Sequence, residues 1–228
     1  MKEQNIEESS FYNKLILFTE KYKKPLLYAG ALVVVLVSSI TLYNTYVLEP
    51  KKEEAEELIA VVQEFFQNDS FERVIHGSFG TPGAVEISNQ FGRTQSGNLA
   101  HYYAGVSYLK TGEFDNAIMH LKKFNPNNDK LIGSLAYACI GDAYVEKSDY
   151  TEALKYYLKA VHYNDANELT TPVHFDKAVH VMIELKQFEQ ALELAEKLLK
   201  NPDLPVQFKY NLKKFKGYIE SLSGKYTP

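Results

Sequence analysis

Three side chains that could ligate a metal recur at helical spacing in the C-terminal half of the chain: Asp176, His180 and Glu184. At intervals of four residues they share one face of a helix, and carboxylate and imidazole groups can bind zinc. A polar helix face that is open to solvent produces the same spacing, and we favour that interpretation. The single cysteine, Cys139, can form neither an intramolecular disulfide nor a cysteine-rich zinc site.

The sequence lacks the motifs on which common enzymes depend. It contains no HExxH, no CxxC and no glycine-rich phosphate loop, and no serine nucleophile stands in a strained turn beside a His/Asp pair. The net charge is −4, and no cluster of lysine and arginine interleaves with aromatic residues. Nucleic-acid binding needs such a basic face. We therefore expect no catalytic residues, no metal and no cofactor, and a protein that is not an enzyme.

The elements that carry these side chains repeat along the sequence. One pattern occurs three times, as Ala104-Gly105-x-x-Tyr108, Ile140-Gly141-x-x-Tyr144 and Ala178-Val179-x-x-Met182. In each copy an aromatic residue follows and then an alanine three positions later: Phe114 and Ala117, Tyr150 and Ala153, Phe188 and Ala191. The alanines are 36 and 38 residues apart (153 − 117 and 191 − 153). The small residues would allow two helices to approach closely, with the aromatic residues packed beside them.

This pattern resembles the tetratricopeptide repeat (TPR), a pair of antiparallel helices of about 34 residues. The resemblance covers residues 98–201 as three repeats, and the extra residues fall in loops at 125–130 and 163–171. The second repeat is the most complete, whereas the third has Val179 and Met182 in place of glycine and tyrosine. Thr171-Pro172 is typical of an N-cap followed by proline in the first helical turn.

The resemblance implies an all-α fold, a TPR-type α-solenoid that binds other proteins. Amphipathic spacing predicts a helix over residues 53–68 and a short helical pair over 71–76 and 82–91, so that residues 49–97 form a helical lead-in. Residues 202–228 are expected to form a C-terminal capping helix, over 206–222, and a tail. No segment beyond residue 49 shows a convincing strand pattern.

The first helices of TPR repeats line a groove, and equivalent positions here carry mostly acidic and apolar side chains. The predicted groove residues are Tyr102, Val106, Lys110, Asp142, Glu146, Asp176, His180 and Glu184. TPR domains that clamp a C-terminal carboxylate have lysines and asparagines at these positions, so we do not expect that ligand. A basic or apolar partner, such as a helix or an unfolded segment, fits better.

Residues 25–48 contain no charged side chain. As a helix they would extend about 36 Å, against roughly 30 Å for the hydrocarbon core of a bilayer. Tyr28, Tyr43 and Tyr46 lie where interfacial aromatic residues are found. We predict a single transmembrane helix over 25–48 that follows a cytoplasmic N-terminal tail over 1–24. A cleaved signal peptide is the alternative, disfavoured because signal-peptide apolar cores run only about 7–15 residues.

Two further features of this segment concern its orientation and its neighbours. Four lysines precede it and two closely follow it: Lys14, Lys21, Lys23 and Lys24 against Lys51 and Lys52. This bias favours a cytoplasmic N-terminus and an exported C-terminal domain.

Small and hydroxyl residues share one face of the segment: Gly30, Val34, Ser38, Thr41 and Thr45. The face could dock onto another membrane protein, or its hydroxyl groups could bond to the preceding helical turn.

A short cytoplasmic tail, one membrane helix and an exported TPR domain together resemble the YfgM family of bacterial proteins, which are ancillary to the Sec translocon. The stretch from Gly97 to Gly112 is also similar to members of that family. The resemblance implies the SecYEG translocon and a PpiD-like periplasmic chaperone as partners, and a role in passing newly exported chains to periplasmic chaperones. It implies a location in the bacterial inner membrane with the C-terminal domain in the periplasm. A TPR organiser of another envelope assembly complex is the alternative, since only the docking partner would differ.

Overall fold

The computed structural model describes residues 18–224, without the side chain of Leu26. Residues 1–17, which include most of the predicted cytoplasmic tail, and residues 225–228 lie outside the described part of the chain. The chain divides into two compact units, Met1–Glu53 and Glu54–Pro228. The described residues form helices, one short β-hairpin and connecting loops, so the predicted all-α class is confirmed.

The first unit contains an apolar helix, α1 (Lys23–Tyr43), and a π-helical segment, Asn44–Leu48. The most apolar stretch of this helix is entirely unburied, and the helix is long and apolar enough to cross a membrane. Exposed apolar surface costs roughly 25 cal/mol per Å² in water. The predicted apolar helix is thus confirmed, and its crossing of a membrane stays a prediction.

Hydroxyl groups of α1 bond to the preceding turn of the same helix. Thr41 Oγ1 donates to the Val37 carbonyl oxygen at 2.9 Å, and Ser39 Oγ donates to the Val35 carbonyl oxygen at 2.8 Å. Thr45, the last member of the predicted small-residue face, lies in the π-helical segment. Because a π-helix has i→i+5 bonds, the α-helical spacing that defined this face does not extend to Thr45. Docking at this face stays a prediction.

The remaining elements are α2 (Glu49–Gln67), α3 (Phe71–His76), β1 (Gly77–Ser78), β2 (Thr81–Pro82), α4 (Ala84–Gln90), α5 (Gln95–Thr111), α6 (Phe114–Lys123), α7 (Lys130–Glu146), α8 (Tyr150–Tyr163), α9 (Thr170–Glu184), α10 (Phe188–Leu199) and α11 (Val206–Leu222). The helices α3 and α11 have the bounds that the sequence predicted. The helix α2 begins at Glu49 rather than at residue 53, and α4 begins at Ala84 rather than at residue 82.

A β-hairpin joins α3 to α4, in a segment whose sequence shows no alternating strand pattern. The strands β1 and β2 pair antiparallel. The two residues between them, Phe79 and Gly80, both have positive φ, at 48° and 82°, as in type I′ hairpin turns. The sequence does not predict this hairpin, because strands of two residues are too short to show an alternating pattern.

Three successive helix pairs, α5–α6, α7–α8 and α9–α10, form the repeat array. The two helices of each pair contact each other, and the first helices contact one another in turn, α5 with α7 and α7 with α9. The turn inside each pair recurs at one position with positive φ: Gly112 (84°), Ser148 (58°) and Lys186 (57°). The next amide N–H donates to a carbonyl of the first helix in all three: Glu113 to Tyr108 at 2.8 Å, Asp149 to Tyr144 at 2.9 Å and Gln187 to Met182 at 2.8 Å. This repeated helix end shows that the three pairs share one local geometry.

The third pair begins differently from the prediction. Helix α9 starts at Thr170, and the Thr171 hydroxyl is buried and donates to the carbonyl oxygen of Asn164 at 2.6 Å. The side chain of Asn167 instead accepts from the N–H groups of Leu169 and Thr170, at 3.0 and 2.9 Å. The predicted N-cap role of Thr171 is therefore wrong, because asparagine satisfies the free amides from one turn earlier.

The close approach predicted for the small residues is confirmed in the first two repeats. A Cβ atom added at Gly105 would lie 2.5 Å from Leu121 Cγ, and one added at Gly141 would lie 2.5 Å from Tyr157 Cε1. Neither distance leaves room for a methyl group. Glycine at these positions is required by the packing of the paired helix.

The third repeat reaches the same packing without glycine. Val179 occupies the glycine position, and Ala195 occupies the position equivalent to Leu121 and Tyr157, 38 residues after Tyr157. Val179 and Ala195 are both fully buried in the same hydrophobic cluster. A larger residue on the first helix is therefore matched by a smaller one on the second, which conserves the volume between them.

Buried apolar side chains of the second unit form two clusters. The first extends over α2 to α7 and includes Tyr156, and the second extends over α8 to α11. They meet within the second repeat. Leu212 and Ile219 of α11 are fully buried in the second cluster, so α11 covers the last repeat as a capping helix must.

Candidate protein-binding groove

A cavity of about 450 Å³ lies between the first and second helix pairs. We call it the inter-repeat groove, and its lining consists of Leu109, Lys110, Gly112, Phe114, Asp142, Val145, Glu146 and Tyr157. Three of the eight predicted groove residues, Lys110, Asp142 and Glu146, are brought together here. The cavity has the size of an ordinary ligand pocket, and it is mixed in polarity.

Two of the predicted groove residues belong to the packing of the first repeat. Val106 is only 6% exposed. The Tyr102 ring packs against those of Tyr103 and Phe124, with centroids 5.7 and 5.5 Å apart, and burial raises the pKa of Tyr102. These side chains do not line the inter-repeat groove.

The three residues predicted from α9 lie on its exposed face and do not line the inter-repeat groove. His180 Nδ1 is 2.8 Å from the backbone carbonyl oxygen of Asp176 and 3.5 Å from its carboxylate, while Glu184 is exposed. Within residues 18–224, no three His, Cys, Asp or Glu side chains converge as a metal site. The spacing of these three residues corresponds to a solvated helix face.

Asp142 is already paired within the fold. Its Oδ1 atom accepts a hydrogen bond from Tyr157 Oη at 2.7 Å, and both carboxylate oxygens lie 2.6 Å from Lys177 Nζ. The Asp142 and Lys177 side chains are 29% and 35% exposed, so water only partly screens the pair. The same ammonium group lies 5.8 Å from the centroid of the Tyr157 ring. We call these three residues the Asp142 network, and it neutralises the carboxylate that sequence reasoning assigned to a partner.

Lys110 and Glu146 carry the free charges of the groove. They occupy equivalent positions in the first two repeats, both are exposed, and neither forms an ion pair with another described residue. The apolar side chains of Leu109 and Val145 lie beside them in the lining. The groove is therefore mixed in polarity, with one free charge of each sign, rather than acidic.

Sequence reasoning missed the roles of Lys177 and Tyr157 at this site. Aligning the repeats pairs Asp142 with His180, but the ion-pair partner lies three residues earlier, one turn back along α9. Equivalent positions on neighbouring helices are thus staggered by about one turn. The sequence contained the basic residue but no signal for that stagger.

Two comparisons with known proteins bear on these repeats. Residues 99–127 match the tetratricopeptide repeat family, which covers most of α5 and all of α6. The chain is also 37% identical over 108 residues to Anaphase-promoting complex subunit 3 of Schizosaccharomyces pombe (strain 972 / ATCC 24843). That alignment covers 44% of this chain, and the chain spans about 15% of the length of this relative. A tetratricopeptide repeat is thus confirmed at the first predicted repeat, although the second has the most complete pattern. The similarity to the YfgM family stays a prediction.

His174 lies close to the Asp142 network and is buried without a polar partner. Its side chain is 2% exposed, and neither ring nitrogen has a hydrogen-bond partner. Burial lowers the pKa of His174 to about 4; the charge of Lys177 acts in the same direction, and that of Asp142 opposes it. Burial likewise lowers the pKa of His120 to about 4, and its Nδ1 atom lies 3.1 Å from that of His101.

These buried histidines predict a fold that weakens in mild acid. Their folded-state pKa lies below the ordinary value of about 6.5, so the unfolded chain takes up protons first as the pH falls. The free energy of unfolding that the uncharged histidines contribute is fully present above about pH 6.5. It is lost progressively as the pH falls towards about 4. The His174→Phe variant should lose less stability than wild type between about pH 7 and pH 4.5, measured by urea unfolding with circular dichroism. His180→Phe, at an exposed position of the same helix, is the matched control; equal losses in wild type and His174→Phe would refute the prediction.

Proposed function

We propose that this protein is a membrane-anchored scaffold that binds other proteins through its helical repeats. The proposal rests on the array of three helix pairs. The three pairs share one recurring turn, and their first helices contact one another in a row. Stacked helical repeats form extended binding surfaces, and a tetratricopeptide repeat indicates protein–protein interaction. No catalytic role is needed to account for the groove.

We propose that the inter-repeat groove binds an apolar segment that carries charges of both signs. Leu109 and Val145 would contact its apolar side chains, as in helix-in-groove recognition. Lys110 and Glu146 would pair with an acidic and a basic residue of the partner. Asp142, which is paired within the fold, would not contact the partner. The exposed carboxylates of α9 would extend recognition of a basic partner to the third repeat.

We propose that α1 crosses the bacterial inner membrane, with the N-terminus in the cytoplasm and the repeats in the periplasm. Its length and unburied apolar surface support the crossing, and the excess of lysines before it supports the orientation.

Reporter fusions test this topology. Alkaline phosphatase, which is active only after export, should be active when fused after Pro228, and green fluorescent protein, which does not fluoresce after Sec export, should be dark at the same position. Intact-mass measurement should find the mature chain with the residues before Pro25 still present. The reverse activity pattern would contradict the orientation, and loss of the N-terminal residues would identify a cleaved signal peptide instead.

The resemblance to the YfgM family suggests more specific partners. We propose that the protein is an ancillary subunit of the SecYEG translocon that passes exported polypeptides to a PpiD-like chaperone. The small-residue face of α1, at Gly30, Val34 and Ser38, would dock in the membrane. The groove would bind the soluble partner.

A polarity reversal tests the groove while the net charge of −4 is kept. The Lys110→Glu, Glu146→Lys double variant should reduce by about tenfold the SecY or PpiD-like protein recovered after mild detergent extraction, because each partner charge then faces a like charge. Quantitative mass spectrometry of the native eluate measures the recovery. The Lys213→Glu, Glu220→Lys variant on α11 is charge-matched and should behave as wild type.

Unchanged recovery from the groove variant would refute a role for this groove. Recovery of another envelope assembly complex in place of SecY, with the same dependence on the groove, would refute the translocon role and leave the scaffold function intact.

A further inference from the structure

Three lysines converge on one tyrosine ring on the side of the array formed by the second helices. The ammonium groups of Lys122, Lys155 and Lys159 lie 5.4, 5.9 and 5.0 Å from the centroid of the Tyr156 ring. Lys155 and Lys159 flank Tyr156 on α8, whereas Lys122 comes from α6, so the complete cluster is not visible in the linear sequence.

The tyrosine rings hold these ammonium groups in place. The Tyr144 and Tyr156 rings stack with centroids 5.6 Å apart and planes inclined by 17°. Lys122 Nζ donates a hydrogen bond to Tyr144 Oη at 2.8 Å and lies 5.3 Å from the Tyr144 ring. Cation–π contacts of this kind position a lysine without neutralising it.

Two of the three lysines have no acidic partner among residues 18–224. Lys155 bonds to both carboxylate oxygens of Glu152, at 3.0 and 3.2 Å. Lys122 and Lys159 form no ion pair with any residue that the structure describes. Like charges held this close repel each other. An anion placed between them would relieve that repulsion.

An apolar pocket of about 620 Å³ adjoins these cations. It is lined by Tyr137, Lys155, Leu158, Lys159, His162 and Tyr163. The rings of Tyr137 and Tyr163 meet edge to face at 5.4 Å, and Lys159 Nζ lies 5.8 Å from the Tyr137 ring. The pocket is therefore bordered by two of the three lysines and has room for a bulky side chain. We call the three lysines, Tyr144, Tyr156 and this pocket the lysine–tyrosine face.

We infer that the lysine–tyrosine face binds a short acidic segment of a partner protein, which inserts an aromatic or aliphatic side chain into the apolar pocket. None of its residues lines the inter-repeat groove, so this inference goes beyond the proposed groove function and can fail independently of it. Two free ammonium groups match one or two carboxylates. They are too few to release the counterions of a long nucleic acid, and the chain's net charge of −4 opposes a polyanion.

Fluorescence anisotropy tests this inference on the full chain in phosphatidylcholine nanodiscs. The probe is a short fluorescein-labelled peptide with a central phenylalanine flanked by glutamates. Wild type should bind it at micromolar concentration, more weakly at high salt. The Lys122→Glu, Lys159→Glu variant should weaken binding by about tenfold or more, and a probe with serine in place of phenylalanine should also bind more weakly.

The matched control is the Lys213→Glu, Lys214→Glu variant. It makes the same change in charge, and Lys214 also lies over a tyrosine ring, at 4.7 Å from Tyr210. This control and the groove polarity reversal should both bind the probe as wild type does. Thermal unfolding is followed for every variant, and Lys159→Glu alone, which removes no hydrogen bond, replaces the double variant if that one does not fold.

Three results would overturn the inference. The first is no binding by wild type, or equal binding by wild type and the face variant. The second is tighter binding of a soluble inositol phosphate or a single-stranded oligonucleotide that is lost in the face variant, which would assign the face to a phosphate ligand. The third is concentration-dependent self-association that the face variant abolishes, which would assign it to a second copy of the chain.

Discussion

The carboxylate of Asp142 connects three helices at the place where the two hydrophobic clusters meet. It lies on α7, accepts a hydrogen bond from Tyr157 on α8 and pairs with Lys177 on α9. A half-buried carboxylate without partners would be costly. Tyr157 satisfies it within the second repeat, and the pair with Lys177 connects the third repeat to the second. The buried, unpartnered His174 adds an acid-sensitive element to the same junction. Because Asp142 is neutralised there, the only free charges that the inter-repeat groove presents to a partner are those of Lys110 and Glu146.

The same architecture produces two unlike surfaces. Each helix pair packs a small residue against a larger one, as Gly105 does against Leu121, and this brings the first helices into one row beside the groove. The second helices then carry side chains that do not face that row. Lys122 and Lys159 are held there by tyrosine rings rather than by carboxylates. A scaffold with a mixed-charge groove and a cationic, aromatic face could contact two partners at once.

The repeat pattern, the apolar helix and the capping helix could all be predicted from the sequence, because each depends on local spacing. The closeness of the helices at Gly105 and Gly141 also followed from residue size. What could not be predicted depends on contacts between elements distant in the chain. The pairing of Asp142 with Lys177 depends on a one-turn stagger between repeats, and the lysine–tyrosine face depends on α6 lying beside α8. Thr171 was misassigned because Asn167, a better capping residue, lies in the preceding loop.

Asp142 serves the fold and not the ligand, and a double-mutant cycle with Lys177 can test this. Urea unfolding of wild type, Asp142→Asn, Lys177→Met and the double variant measures the coupling between the two side chains. We predict a coupling free energy of about 1 kcal/mol, between the values for exposed and buried ion pairs. The Asp142→Asn variant should still recover the partner proteins of wild type. Additive effects on stability, together with loss of those partners from Asp142→Asn, would show that Asp142 binds the ligand instead.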